Sequence, residues 1–152
     1  MERITSFQVD HDKLMPGLYL SRRDGQVTTF DLRFKKPNTG DLLTNAEMHS
    51  VEHIIATLLR NGKAKDAVIY FGPMGCQTGF YLLYDSRQLT DADAVELVKE
   101  TFAAGAAFDG AMPGYSSVEC GNYINLSVDL AKTQCAAYLE IIKDWTAEKL
   151  AY

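Results

Sequence analysis

A chain of 152 residues, 47% of them hydrophobic, is long enough to bury one core and short for two, so a single domain spanning residues 1–152 is expected. Its 15 basic and 20 acidic residues leave a net charge of -5 with no Lys/Arg cluster, which argues against nucleic acid or an anionic membrane as partner. No stretch approaches the roughly 18 apolar residues of a membrane span, residues 1–6 carry no apolar leader, and three cysteines fit reduced thiols in the cytoplasm better than a disulfide framework.

Residues 18–20 and 27–34 flank Asp24-Gly25, a dipeptide suited to a tight turn, and predict a β-hairpin. Alternation in the second arm turns Thr28, Phe30, Leu32 and Phe34 toward the core. Arg33 then faces the other way, where a solvated charge is expected. Thr44-Asn45-Ala46-Glu47 forms a capping box and Asn61-Gly62 a stop, predicting a helix of about four turns. Val51, Ile54, Ile55, Leu58 and Leu59 make its apolar stripe, whereas His49, Glu52 and His53 cluster on nearly the opposite side, which a second surface must cover.

Residues 67–71 and 80–84 are predicted strands, joined by Gly72-Pro73-Met74-Gly75-Cys76-Gln77-Thr78-Gly79, so Cys76 sits on a loop. Thr90 and Asp93 open a second helix running to about Phe108, Ser127 caps a third over residues 128–143, and a short helix follows around 145–150. The order predicts an α+β fold, with an antiparallel or mixed sheet and helices on one face. No internal repeat or linker is evident.

The pattern His49-Ser50-Val51-Glu52-His53 places two of the chain's three histidines one helical turn apart with a carboxylate beside them, an H-x-x-E-H arrangement able to hold a divalent ion. A catalytic ion normally takes a third protein ligand and keeps one position open. Cys76, Cys120, Cys135, His11 and a distant carboxylate are the candidates. Cys135 lies at helical spacing among apolar residues and is assigned to packing. Cys120, beside Gly121, and Cys76, on its glycine-rich loop, can each be the ligand, with the other a reactive thiol.

The combination of Ser6-Phe7 with His11, Phe30-Asp31-Leu32-Arg33-Phe34, the H-x-x-E-H helix, the block from Gly72 to Gly79 and Glu119-Cys120-Gly121 resembles the S-ribosylhomocysteine lyase (LuxS) family, in the family's order across most of the chain. The resemblance implies that His49, His53 and Cys120 bind the metal and that Glu52 and Cys76 are the acid/base pair. It implies substrate contacts from Ser6, His11 and Arg33. It further implies one divalent ion per subunit, ferrous in the cell with zinc or cobalt as substitutes, and a homodimer with its active sites at the interface.

The implied reaction converts S-ribosylhomocysteine to homocysteine and 4,5-dihydroxy-2,3-pentanedione, the precursor of autoinducer-2. Three details depart from the family's usual pattern: a short stretch between Leu20 and Phe30, Lys35-Lys36 before Pro37, and Tyr70 six residues before Cys76. Two rival readings use the same histidines. An inverzincin-like metallohydrolase would employ Glu52 to activate water, and a metal-stabilised binding module would close the site with both Cys76 and Cys120.

Overall fold

A computed structural model describes all 152 residues. Strands β1 (Gly17–Asp24) and β2 (Val27–Arg33) form the expected hairpin, with the turn one residue later than Asp24-Gly25. Asp24 pairs with Val27, so Gly25-Gln26 is the two-residue loop, and Gly25 takes its first position at φ 61°. Strands β3 (Val68–Pro73) and β4 (Gly79–Asp85) complete an antiparallel sheet in the order β1-β2-β4-β3. Beside Arg33, Gly79 lets two strands meet closely: a Cβ there would stand 2.3 Å from the Leu32 carbonyl oxygen.

Helices α1 (Asn45–Asn61), α2 (Asp91–Ala106) and α3 (Val128–Ile142) pack together, and their buried residues join those of one sheet face in a single core. That face presents Leu18, Phe30, Leu32, Phe80, Leu82 and Tyr84, each fully buried. The capping box holds the start of α1 as expected. The Glu47 N–H donates to Thr44 Oγ1 at 3.2 Å, and the Thr44 N–H donates to the Glu47 carboxylate at 2.7 Å.

Gly62 ends α1 in an extended rather than left-handed conformation, α2 stops at Ala106, and the last short helix is a 3-10 turn, Ala147–Lys149. Within the α1 stripe Leu58 is only half-buried, while Met48 and Ser50 are buried. Cys135 is a packing residue, as expected. Its thiol lies fully buried against Gly105, where a Cβ would stand 2.8 Å from sulfur, and burial pushes the thiol up to about 12.

The opposite sheet face corrects one expectation. Arg33 is not solvated: its side chain is 3% exposed and that of Asp31, two residues earlier on the same face, is 1% exposed. Alternation gave the direction of the side chain but not what covers it. A fork of hydrogen bonds to Asp31 makes the burial tolerable, and Tyr152, stacked on Tyr19 with centroids 5.0 Å apart, reaches the same carboxylate. No helix is long and apolar enough to cross a membrane.

Candidate active site

The helix geometry of α1 puts the rings of His49 and His53 4.6 Å apart and perpendicular. Each ring has one nitrogen already engaged. His49 Nδ1 lies 2.7 Å from Asn125 Oδ1, and the Asn125 amide nitrogen donates to Asn45 Oδ1 at 2.7 Å, which turns the oxygen toward the imidazole. His53 Nδ1 lies 2.8 Å from the carbonyl oxygen of Pro113. Because these oxygens only accept, both rings carry hydrogen on Nδ1 and leave the Nε2 lone pair free for a ligand bond.

Cys120 completes the cluster from a turn in which its N–H donates to Ser116 O at 3.0 Å. Its sulfur is 3.3 Å from His49 Nε2, and one donor atom from each of His49, His53 and Cys120 lies within 4.8 Å of the others. Tetrahedral bonds of about 2.0–2.1 Å to nitrogen and 2.3 Å to sulfur space neighbouring ligand atoms at roughly 3.3–3.6 Å. The donor set therefore fits one ion, with mixed imidazole and thiolate chemistry suited to zinc, cobalt or ferrous iron.

Part of the cover over the histidine side of α1 comes from this chain. The segment after α2 passes so close that a Cβ on Gly114, at φ 68°, would stand 3.1 Å from the His53 ring. Farther along, the Ser127 N–H donates to Ser50 Oγ at 2.9 Å and ties the start of α3 to α1. Openings remain on either side of the motif. Glu52 lines a cavity of about 220 Å³ together with His49, and another of about 270 Å³ together with His53. A carboxylate in that position can reach a molecule bound beside the ion.

Cys76 belongs to a different cavity, about 510 Å³, which it shares with His11, Leu42 and Thr78. Arg33 is aimed at it. Its Nε donates to Asp31 Oδ1 at 3.1 Å and its Nη2 to Oδ2 at 2.6 Å, leaving Nη1 to donate to Thr78 Oγ1 at 2.7 Å with the Cys76 sulfur 3.8 Å away. Thr78 Oγ1 is also 3.1 Å from that sulfur. Burial alone would lower the Arg33 pKa, but the Asp31 charge and hydrogen bonds outweigh it and raise it, with a smaller contribution from Cys76. A permanent cation and a hydroxyl therefore both face the Cys76 sulfur.

Of the residues singled out from sequence, the structure brings His49, Glu52, His53 and Cys120 together around α1, and Arg33, Cys76 and His11 around the β3–β4 loop. Ser6 is half-buried on the 3-10 turn Thr5–Phe7 and does not line the Cys76 cavity. Cys76 is not part of the candidate ligand cluster, which removes the geometric basis of a closed His2Cys2 site, and no carboxylate belongs to it, as the metallohydrolase reading prefers.

Sequence reasoning missed Asp31, Thr78, Asn125 and the Pro113 carbonyl. Asp31 carried a signal, since opposite charges at i and i+2 on a strand share a face. Thr78 stands two residues after Cys76 on the same loop, whereas Asn125 and Pro113 come from distant segments and carried no signal.

A family model described as S-Ribosylhomocysteinase (LuxS) matches residues 4–149. A Finegoldia magna protein named S-ribosylhomocysteine lyase is 44% identical over 156 residues, covering 100% of this chain and 99% of its own length. A protein of that name from Desulfotalea psychrophila is 48% identical over 154 residues, covering 98% and 96%. Another from Borreliella burgdorferi is 44% identical over 161 residues, covering 100% and 99%.

Proposed function

The chain belongs to the S-ribosylhomocysteinase (LuxS) family and is an S-ribosylhomocysteine lyase, and from its two residue clusters we propose how it divides the chemistry. The carrying observation is that His49, His53 and Cys120 converge with both Nε2 lone pairs free, while Glu52 borders the same space. These three residues hold one divalent ion, ferrous iron in the cell and replaceable by zinc or cobalt. Bound there, such an ion would supply Lewis-acid chemistry toward the sugar carbonyl and so make the neighbouring protons more acidic.

Protons are moved by the chain's own side chains. The carbonyl shifts from C1 of the ribose to C2 and then to C3: a proton leaves C2 and one returns to C1, then one leaves C3 and one returns to C2. Loss of the C4 proton breaks the C5–S bond, and the thiolate leaves as homocysteine after taking up a proton. The C4–C5 enol left behind gives up its hydroxyl proton and takes one at C5, which makes it 4,5-dihydroxy-2,3-pentanedione. Atoms balance without water, oxidant or redox cofactor. Glu52 as carboxylate and Cys76 as thiolate act on different sides of the sugar, each contributing roughly 10²–10⁴-fold as general acid or base. Arg33 and Thr78 face the Cys76 sulfur at 3.8 and 3.1 Å, and Ser6, His11 and Arg33 contact substrate.

Within one chain the two clusters open into different cavities, with Arg33 on the sheet face away from the helices. We therefore read the working form as a homodimer, each site built from the α1 cluster of one subunit and the Cys76 cluster of its partner. The single-domain reading of residues 1–152 is supported by one continuous core of 25 buried residues. Dependence on two reduced thiols supports a cytoplasmic reaction.

Incubating metal-loaded protein with S-ribosylhomocysteine should release free thiol and a vicinal dicarbonyl, trapped with an aromatic diamine, in equal amounts. Thiol release without the dicarbonyl would reject the mechanism.

A further inference from the structure

Tyr152 stands behind the Cys76 cluster, one residue removed from the Arg33 cation. Its hydroxyl donates at 2.8 Å to Asp31 Oδ2, the oxygen that receives Arg33 Nη2 at 2.6 Å. Its ring is stacked on Tyr19, 19° from parallel. From this geometry we infer that Tyr152 is a positioning residue of the reaction, setting through Asp31 how much of the Arg33 charge reaches the Cys76 sulfur. The inference rests on the reading of Cys76 as a proton-transferring thiolate.

Asp31 opposes that thiolate in two ways. Its buried negative charge repels a second one nearby, and it neutralises the guanidinium that faces sulfur. A phenol hydrogen on Oδ2 draws carboxylate charge toward Tyr152 and fixes the plane of the carboxylate. Both oxygens then grip Arg33 through Nε and Nη2, and Nη1 stays directed at Thr78 and Cys76. The phenol remains a donor, because burial and the Asp31 charge push its pKa up. Tyr81, whose phenol is also pushed up by burial and Asp31, and His11, in the Cys76 cavity, are the other titratable groups about this sulfur, and neither touches Tyr152 through a hydrogen bond.

Tyr152→Phe removes the hydroxyl and keeps the stacked ring. In the full-length, metal-loaded enzyme, alkylation of Cys76 by iodoacetamide, located by peptide mass, should be about threefold to tenfold slower at neutral pH, with its pH profile displaced upward. The turnover number should fall by a similar factor with KM little changed. An unchanged alkylation profile, whatever happens to the melting temperature, would overturn the inference and leave Tyr152 with packing alone. Near-normal turnover in Cys76→Ser would instead overturn the parent reading of Cys76, and this inference with it.

Discussion

Cys120 and His49 are 71 positions apart in the chain, yet the sulfur of one lies 3.3 Å from Nε2 of the other. With a metal bond on each, that spacing is what tetrahedral coordination requires; without one, it is a thiol–imidazole hydrogen bond. Cys120→Ala should therefore abolish stoichiometric metal binding and lyase activity together while the fold persists. Metal analysis after dialysis decides it, and cobalt-loaded wild-type protein should show a thiolate-to-cobalt absorption band that the variant lacks. Full metal retention in Cys120→Ala would remove it from the ligand set.

Asn125 tests the surroundings of the ion. Its oxygen holds His49 with hydrogen on Nδ1. Asn125→Ala should weaken metal affinity by roughly 10–100-fold in a chelator competition, the usual cost of losing such a partner. Asn125→Asp, which still offers an oxygen and makes the imidazole a stronger donor, should bind at least as tightly as wild type. Equal affinity in Asn125→Ala would show that packing alone orients the ring.

The proposed acid/base pair can be tested separately from the metal. Cys76→Ala and Glu52→Gln should each lower the turnover number by roughly 10²–10⁴-fold while metal content stays at one ion per subunit. Neither residue belongs to the ligand cluster. If either variant turns over normally with full metal occupancy, that residue does not carry the proton transfer.

Much of this site could be read before the structure, and what could not has a physical reason. The α1 motif was legible because helical periodicity is local: the Thr44–Glu47 box fixes the phase, and His49, Glu52 and His53 must then share a side. No periodicity links α1 to the loops carrying Cys76 and Cys120, so the choice between the thiols rested on family resemblance until the fold brought Cys120 to His49. Arg33 was misjudged as solvated for a similar reason. A strand pattern reports which face a residue takes, and part of the cover over that face comes from Tyr152, 119 positions later.

Asp91 offers a test of the scaffold that leaves the site alone. Burial would raise its pKa, but hydrogen bonds from Arg23 and Tyr84 outweigh burial and lower it. A carboxylate depressed in the folded state stabilises above its unfolded pKa, and that stability is lost as pH falls through the folded value. Asp91→Asn should thus cost about 1 kcal/mol at neutral pH, and the gap should close in the acid range below about pH 4. Melting curves of both proteins across pH check this, and a gap independent of pH would contradict it.

The proposed division of the site between subunits makes the sharpest prediction. Glu52→Gln damages only the α1 cluster and Cys76→Ala only the loop cluster, and these line different cavities of one chain. If each working site joins the α1 cluster of one subunit to the loop cluster of its partner, a mixed dimer of the two variants holds one site with both lesions and one with neither. Random re-pairing makes about half of all dimers mixed, so unfolding and refolding an equimolar mixture should restore about a quarter of wild-type activity. Each variant refolded alone should stay inactive. Were both clusters to serve the same site from one chain, every site in the mixture would keep a lesion and no activity would return.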